Sequence, residues 1–310
     1  MKRKKMTAVF MTGLLAVALC LSGCGNQGEE NADTSSSEAT VSSAAEESST
    51  AAQTNEKGAD GEPVELTVFA AASMTETLEE IADMYEGKEP NVTLSFNFDS
   101  SGTLKTQIQE GAECDLFISA AQLQMDELDG SLGADRNPEG LDFVEQGTRL
   151  NLLENKVVLT VPEGNPKGIE SFDDLAQTLP SGDILMAMGN SDVPVGQYTQ
   201  AIFAHYGLDE EALADAGALT YGSNVKEVTT QVKEASVDCG IVYATDAASD
   251  ALTVVDTATP EMCGQVIYPA AVLNISEHKE EAQAFLDYLQ TEECMDVFEK
   301  VGFSPAGQAE

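Results

Sequence analysis

The chain has 310 residues, with 54 acidic side chains against 15 basic ones and a formal net charge of −39. A field of that sign excludes nucleic acid and an anionic membrane surface as electrostatic partners, and it repels a free anion at long range. Two histidines far apart, and no C-x-x-C pair, leave no side-chain metal site of the zinc type.

The first element is a targeting segment. Lys2, Arg3, Lys4 and Lys5 precede a mostly apolar stretch over 7–21, short for a membrane span of about 20 residues. Leu21-Ser22-Gly23-Cys24 closes it with small residues before a cysteine. That pattern resembles a bacterial lipobox, so 1–23 is expected to be a signal peptide and Cys24 the lipidated first residue of the mature chain. The expected location is the extracytoplasmic face of the cell membrane, with the lipid on Cys24 as the anchor. Losing four cations and no acid takes the net charge to about −43. Residues 24–63 are Ser, Ala, Glu, Thr, Gly and Gln with few large apolar side chains. Such a segment cannot offset its conformational entropy by burial and is expected to be a disordered tether.

From residue 64 onward strand-like and helix-like stretches alternate. Residues 66–72 form a continuous apolar run, followed by Leu78, Ile81, Ala82 and Tyr85 at helical spacing. Ser73 with Glu76 three residues later predicts a capping box. Val92, Leu94, Phe96 and Phe98 alternate as a second strand, and a short helix is predicted over 102–110. A third strand is expected over 116–119, with a helix through Met125 and Leu128. A second set follows: strands over Val157–Val161, 184–188, 219–221 and 240–243, with helices from Ser171, over 197–206 and after Ser223-Asn224. Strands over 252–255 and 266–273 and two helices, around Phe285 and Met295, close the chain. Strands alternating with helices imply parallel sheets, whose ligands bind at the carboxyl ends of the strands.

Two runs stand at such ends, Ala70-Ala71-Ala72-Ser73-Met74-Thr75 and Asp99-Ser100-Ser101-Gly102-Thr103-Leu104. Each places a serine beside helix-start N–H groups that lack intrahelical partners, and a pair of such ends makes an uncharged cradle for an anion. Alone, Ser73 is as well explained as a simple N-cap, and Tyr243 as a core aromatic. An enzyme is not expected: no nucleophile elbow, H-E-x-x-H or phosphate-loop pattern is present, and no histidine accompanies Ser73. A serine hydrolase and a tethered structural module remain as the alternatives of other classes. Cys114 and Cys239 begin apolar runs and read as buried thiols. Cys263 with Cys294 is a disulfide that spacing does not decide.

The runs from 66 to 73 and from 100 to 104, with Asp115-Leu116-Phe117-Ile118-Ser119-Ala120, resemble the periplasmic molybdate-binding proteins of bacterial ABC importers. Asp192-Val193-Pro194-Val195-Gly196-Gln197-Tyr198, Gly240-Ile241-Val242-Tyr243, Tyr268-Pro269-Ala270, 285–289 and Gly302-Phe303 continue the match in order. The resemblance implies a two-lobed α/β fold, each lobe a mostly parallel sheet flanked by helices, joined by two crossover strands. Lobe 1 would be 64–158 plus 248–310 and lobe 2 159–247. It implies an oxyanion, molybdate and also tungstate, held by neutral donors: Ser73 and Ser101 through hydroxyl and N–H, Val195 and Val225 through N–H, and Tyr243 through its hydroxyl. The metal would be bound only as oxyanion, with no cofactor and no side-chain ligation. An ABC permease is the implied partner of a monomer. Sulfate stays open as the ligand. Asp99, beside the serine pair, is expected to turn its carboxylate away from the anion.

Overall fold

The computed structural model describes residues 62–307; the expected signal peptide, Cys24 and nearly all of the tether lie outside the described residues. The first half consists of β1 (Val64–Ala71), α1 (Thr75–Glu86), β2 (Val92–Asp99), α2 (Ser101–Gln109), β3 (Leu116–Ile118), α3 (Gln122–Asp126) and β4 (Leu150–Asn155). Leu78, Ile81 and Tyr85 bury one stripe of α1. The Ser100 side chain caps α2 by accepting from the Thr103 N–H, while Leu104 and Ile108 fix its inner face.

A second set comprises β5 (Val157–Val161), α4 (Phe172–Thr178), β6 (Met186–Gly189), α5 (Pro194–Tyr206), α6 (Glu210–Asp215), β7 (Leu219–Gly222), α7 (Val225–Lys233), β8 (Cys239–Tyr243), α8 (Ala244–Ser249) and β9 (Thr253–Thr257). Pro194 begins α5 with a preset φ, and Gly207 ends it in the left-handed conformation at φ 69°. Asn224 caps α7 by accepting from the Glu227 N–H, and the Glu227 carboxylate accepts from the Ser223 N–H. The chain closes with α9 (Pro260–Cys263), β10 (Val266–Val272), α10 (Lys279–Tyr288), α11 (Glu292–Val301) and β11 (Ser304–Pro305).

The strands make a six-stranded sheet in the order β11-β4-β10-β3-β1-β2 and a five-stranded sheet in the order β7-β6-β8-β5-β9. Each sheet with its helices forms one lobe. The expectation of mostly parallel sheets needs correction. Each has a parallel triplet, β2-β1-β3 or β7-β6-β8, extended by antiparallel strands. The antiparallel pairing arises where the chain crosses between sheets with no helix, or only the short α9, between the strands. β4 and β5 are separated only by Lys156, and the return falls between Thr257 and Val266. β9 pairs with β5, so 253–257 sit in the second sheet rather than in the first lobe as expected.

β4 and α6 carry no clear sequence signal. Asn151, Glu154 and Asn155 break the alternation of β4, and α6 is a single short turn-and-a-half capped by Asp209. The main core runs continuously through both sheets, and a smaller cluster around Phe69, Leu104, Phe117 and Leu273 lies on the other side of the first. Cys114, Cys239, Cys263 and Cys294 are all free, so the Cys263–Cys294 bond left open by spacing is not formed. Burial pushes the Cys263 thiol up to about 11, and the buried Cys114 and Cys239 thiols higher still, so none is a ready nucleophile. Among the described residues no helix is long and apolar enough to cross a membrane.

Candidate anion-binding site

Strand register brings the two serine turns together. β1 and β2 run parallel and end level, Ala71 opposite Asp99, so Ser73 and Ser101 each lie two residues beyond the same rung. The second sheet repeats the device. β6 and β7 end level with Gly189 opposite Gly222, and α5 and α7 start just beyond. β8 runs parallel to β6 and delivers Tyr243 to the same edge.

All five residues expected at the site, Ser73, Ser101, Val195, Val225 and Tyr243, line one small cavity where the lobes meet. It holds about 200 Å3 of empty space, and the centre of a water-sized sphere can occupy only about 10 Å3 of it. No Lys, Arg or His lines it. Val195 and Val225 are first-turn residues whose N–H groups have no intrahelical partner. Gly196 makes the first turn of α5 possible, since a Cβ there would lie 2.2 Å from the Asn190 carbonyl oxygen.

The hydroxyls are arranged as donors. Ser101 is fully buried, and its Oγ accepts from the Ala120 N–H at 2.9 Å, which leaves its proton for the cavity. Tyr243 is buried and its hydroxyl has no hydrogen-bond partner in the protein. Burial pushes the Tyr243 phenol well up, so it keeps its proton and can donate. An unpaired hydroxyl in a dry site costs about 1–3 kcal/mol, which a bound acceptor would recover.

Ser73 departs from the expected capping box. It lies inside a 3-10 turn, Ala72–Met74, ahead of α1, which has no side-chain cap. Its Oγ is 2.9 Å from the Tyr268 hydroxyl, and Glu76 instead reaches Lys226. The extra turn rotates Ser73 away from the helix start and toward the sheet. Asp99 turns its Oδ1 to the Ser100 N–H at 2.7 Å and to Asn224 Nδ2 at 3.4 Å, while its residue still lines the cavity. The contact with Asn224 spans the cleft, so the carboxylate is held by donors from both lobes.

Other contacts cross the same cleft. Lys226 Nζ lies 2.8 Å from a Glu76 oxygen across it, and 3.4 Å from Asp246 Oδ1 within its own lobe. Gln124 Nε2 donates to Gln197 Oε1 at 3.2 Å, and Gly102 packs against the Asp192 carbonyl. The residue types near Gly102, Lys226, Asp246, Tyr268 and Asn155 gave no sign of these roles. Only the ordered runs 100–104 and Tyr268-Pro269-Ala270 held two of them. A larger cavity beneath the amino ends of β1 and β3 is lined by Glu65, Glu113, Asp115 and Glu277, and four carboxylates exclude an anion there. Among the described residues no group of three or more His, Cys, Asp or Glu side chains could hold a metal ion.

The bacterial extracellular solute-binding protein family matches residues 66–304. YvgL of Bacillus subtilis, named provisionally as an ABC transporter substrate-binding lipoprotein, is 34% identical over 255 residues, covering 81% of this chain and 90% of its own. The molybdate-binding protein ModA of Escherichia coli is 32% identical over 249 residues, covering 77% of this chain and 88% of its own. In fold, the Azotobacter vinelandii periplasmic molybdate-binding protein is similar with a TM-score of 0.64 at 19% identity, over 77% of this chain and 98% of that one. The Mycobacterium tuberculosis sulfate-binding protein SubI is similar at 0.62 and 19%, over 79% and 88%.

Proposed function

The chain belongs to the bacterial extracellular solute-binding proteins, and from that premise we propose that it captures molybdate, and also tungstate, for an ABC importer. It is held at the extracytoplasmic face through a lipid on Cys24. The observation that carries this reading is the cavity itself, where helix-start N–H groups, two serine hydroxyls and the unpartnered Tyr243 hydroxyl converge with no cation. A buried dianion is tolerated only if its oxygens are hydrogen-bonded throughout. Ser73, Ser101, Val195, Val225 and Tyr243 supply those bonds from both lobes, so the ligand holds the lobes closed. With a net charge of −39 on the chain, attraction to the anion is local rather than long-range. The 30%-range identity to molybdate-binding relatives favours molybdate. Likeness to a sulfate-binding fold at almost equal TM-score keeps sulfate as the second reading.

Calorimetric titration of the whole protein with molybdate, tungstate, sulfate and phosphate tests the assignment. Heat with molybdate and tungstate is expected. Heat with sulfate alone would move the assignment to the second reading, and none with any anion would end it. Ser101→Ala and Tyr243→Phe are each expected to weaken molybdate binding by about 1–3 kcal/mol, the scale of a hydrogen bond to a charged group. Unchanged affinity in both variants would place the ligand elsewhere.

A further inference from the structure

Two buried side chains outside the cavity, Tyr268 and Asn155, carry hydrogen bonds whose direction can be worked out from one end. The Lys156 backbone N–H donates to Asn155 Oδ1 at 2.8 Å. The Asn155 amide is thereby oriented, with its NH2 group left for its other partners. That group donates to Thr245 Oγ1 at 3.0 Å and to the Tyr268 hydroxyl at 3.1 Å. The Tyr268 oxygen therefore already accepts a hydrogen bond. Burial pushes its phenol well up, so it also retains its own proton. Of the hydroxyls around that proton, Ser73 Oγ at 2.9 Å stands in hydrogen-bond geometry, and that of the neighbouring Tyr243 does not. Tyr268 is fully buried, and a donor left unmade there is costly. Its proton goes to Ser73 Oγ, and the single proton of Ser73 is left for the cavity.

We propose that Tyr268 and Asn155 are positioning residues of the oxyanion site, which hold Ser73 as a hydrogen-bond donor toward the ligand. This inference rests on the cavity being an oxyanion site. A serine hydroxyl free to rotate can present a lone pair, and beside an anion that orientation is repulsive. Ser101 is protected from it by the Ala120 N–H, a backbone donor. Ser73 has no such backbone donor, and the relay from Lys156 through Asn155 and Tyr268 supplies one. β10 places Tyr268 beside Pro269, where the ladder to β4 shifts register. A proline has no N–H to give the ladder and is tolerated at such an irregularity. The relay starts at Lys156, the single residue between the two sheets, and its Thr245 arm reaches the second lobe.

The test is a pair of double-mutant cycles on the whole protein, read by calorimetric titration with molybdate. Tyr268→Phe keeps the ring and removes the relayed proton, and it is expected to weaken binding by about 5–30-fold. Combined with Ser73→Ala it should add less than about twofold, because nothing remains to be oriented. Combined with Ser101→Ala the two losses should multiply, as independent sites do. Multiplying losses in both cycles, or wild-type affinity in Tyr268→Phe, would overturn the positioning role, since a general packing defect does not distinguish the two serines. If circular dichroism shows Tyr268→Phe unfolded, Asn155→Ala enters the same cycles with the same expectation. Failure of the oxyanion reading itself is separate, because it appears as absent binding in the wild type before any variant is made, and it takes the positioning role down with it.

Discussion

Gly102→Ala is expected to weaken oxyanion binding by about 10²–10⁴-fold without lowering the stability of the ligand-free protein. Gly102 is the second residue of α2, on the first lobe, and faces the second lobe across the cleft. A Cβ at this position would lie 2.1 Å from the Asp192 carbonyl oxygen and 2.9 Å from its carbonyl carbon. Backbone atoms cannot swing aside as a flexible side chain does, so the lobes would have to part by more than about 1 Å to restore ordinary contact. Parting withdraws the Val195 and Val225 N–H groups from a ligand held by Ser73 and Ser101. Two hydrogen bonds to a charged group, at about 1.5–3 kcal/mol each, give the stated range at about 1.4 kcal/mol per tenfold. Once the lobes part, the added methyl meets nothing from the second lobe, and alanine is the better helix residue. Titration with molybdate and thermal melts with and without it check both halves. Affinity within threefold of the wild type would show that the bound state does not use this contact.

Asp246→Asn is expected to remove a pH dependence of stability that the wild type shows between about pH 4 and pH 7. Asp246 is fully buried and neither carboxylate oxygen has a hydrogen-bond partner. Burial pushes its carboxyl up to about 7, against the pull of the Lys226 ammonium 3.4 Å away and with the help of Glu76 and Asp250. In the unfolded chain the group titrates near 4, so between those values the folded state binds more protons than the unfolded one. Stability from this group is therefore complete below about pH 4, falls as pH rises, and levels off above about pH 7. A pKa rise of that size corresponds to a few kcal/mol. Urea unfolding from pH 4.5 to 8 should show the variant gaining on the wild type by a few kcal/mol as pH rises. A constant difference across that range would mean that Asp246 ionises as an ordinary carboxyl.

Much of the fold is legible in the residues. Strand and helix starts follow from runs such as 66–72 and from caps such as Ser171 and Asn224, because burial and capping are local demands on residue type. The exceptions have physical causes. β4 hides because Asn155 is spent on a buried network rather than on the alternation of a strand. The return crossover lies later than expected because β9 is chosen by pairing with β5, a non-local event.

The site divides in the same way. Sequence alone determined that two serine turns follow strands, that Val225 opens a helix and Val195 stands in a turn leading into one, and that the net charge forbids long-range attraction of an anion. Those are properties of single segments, set by propensity and charge. Tertiary structure decided which of these ends face one another, because parallel register alone levels Ala71 with Asp99 and Gly189 with Gly222. It also decided the direction of each hydroxyl. Ser73 resembles an N-cap on its own helix, yet its hydroxyl is claimed by Tyr268, 195 residues away. A proton's direction is set by the donor on its other side, and that donor arrives only when the chain has folded.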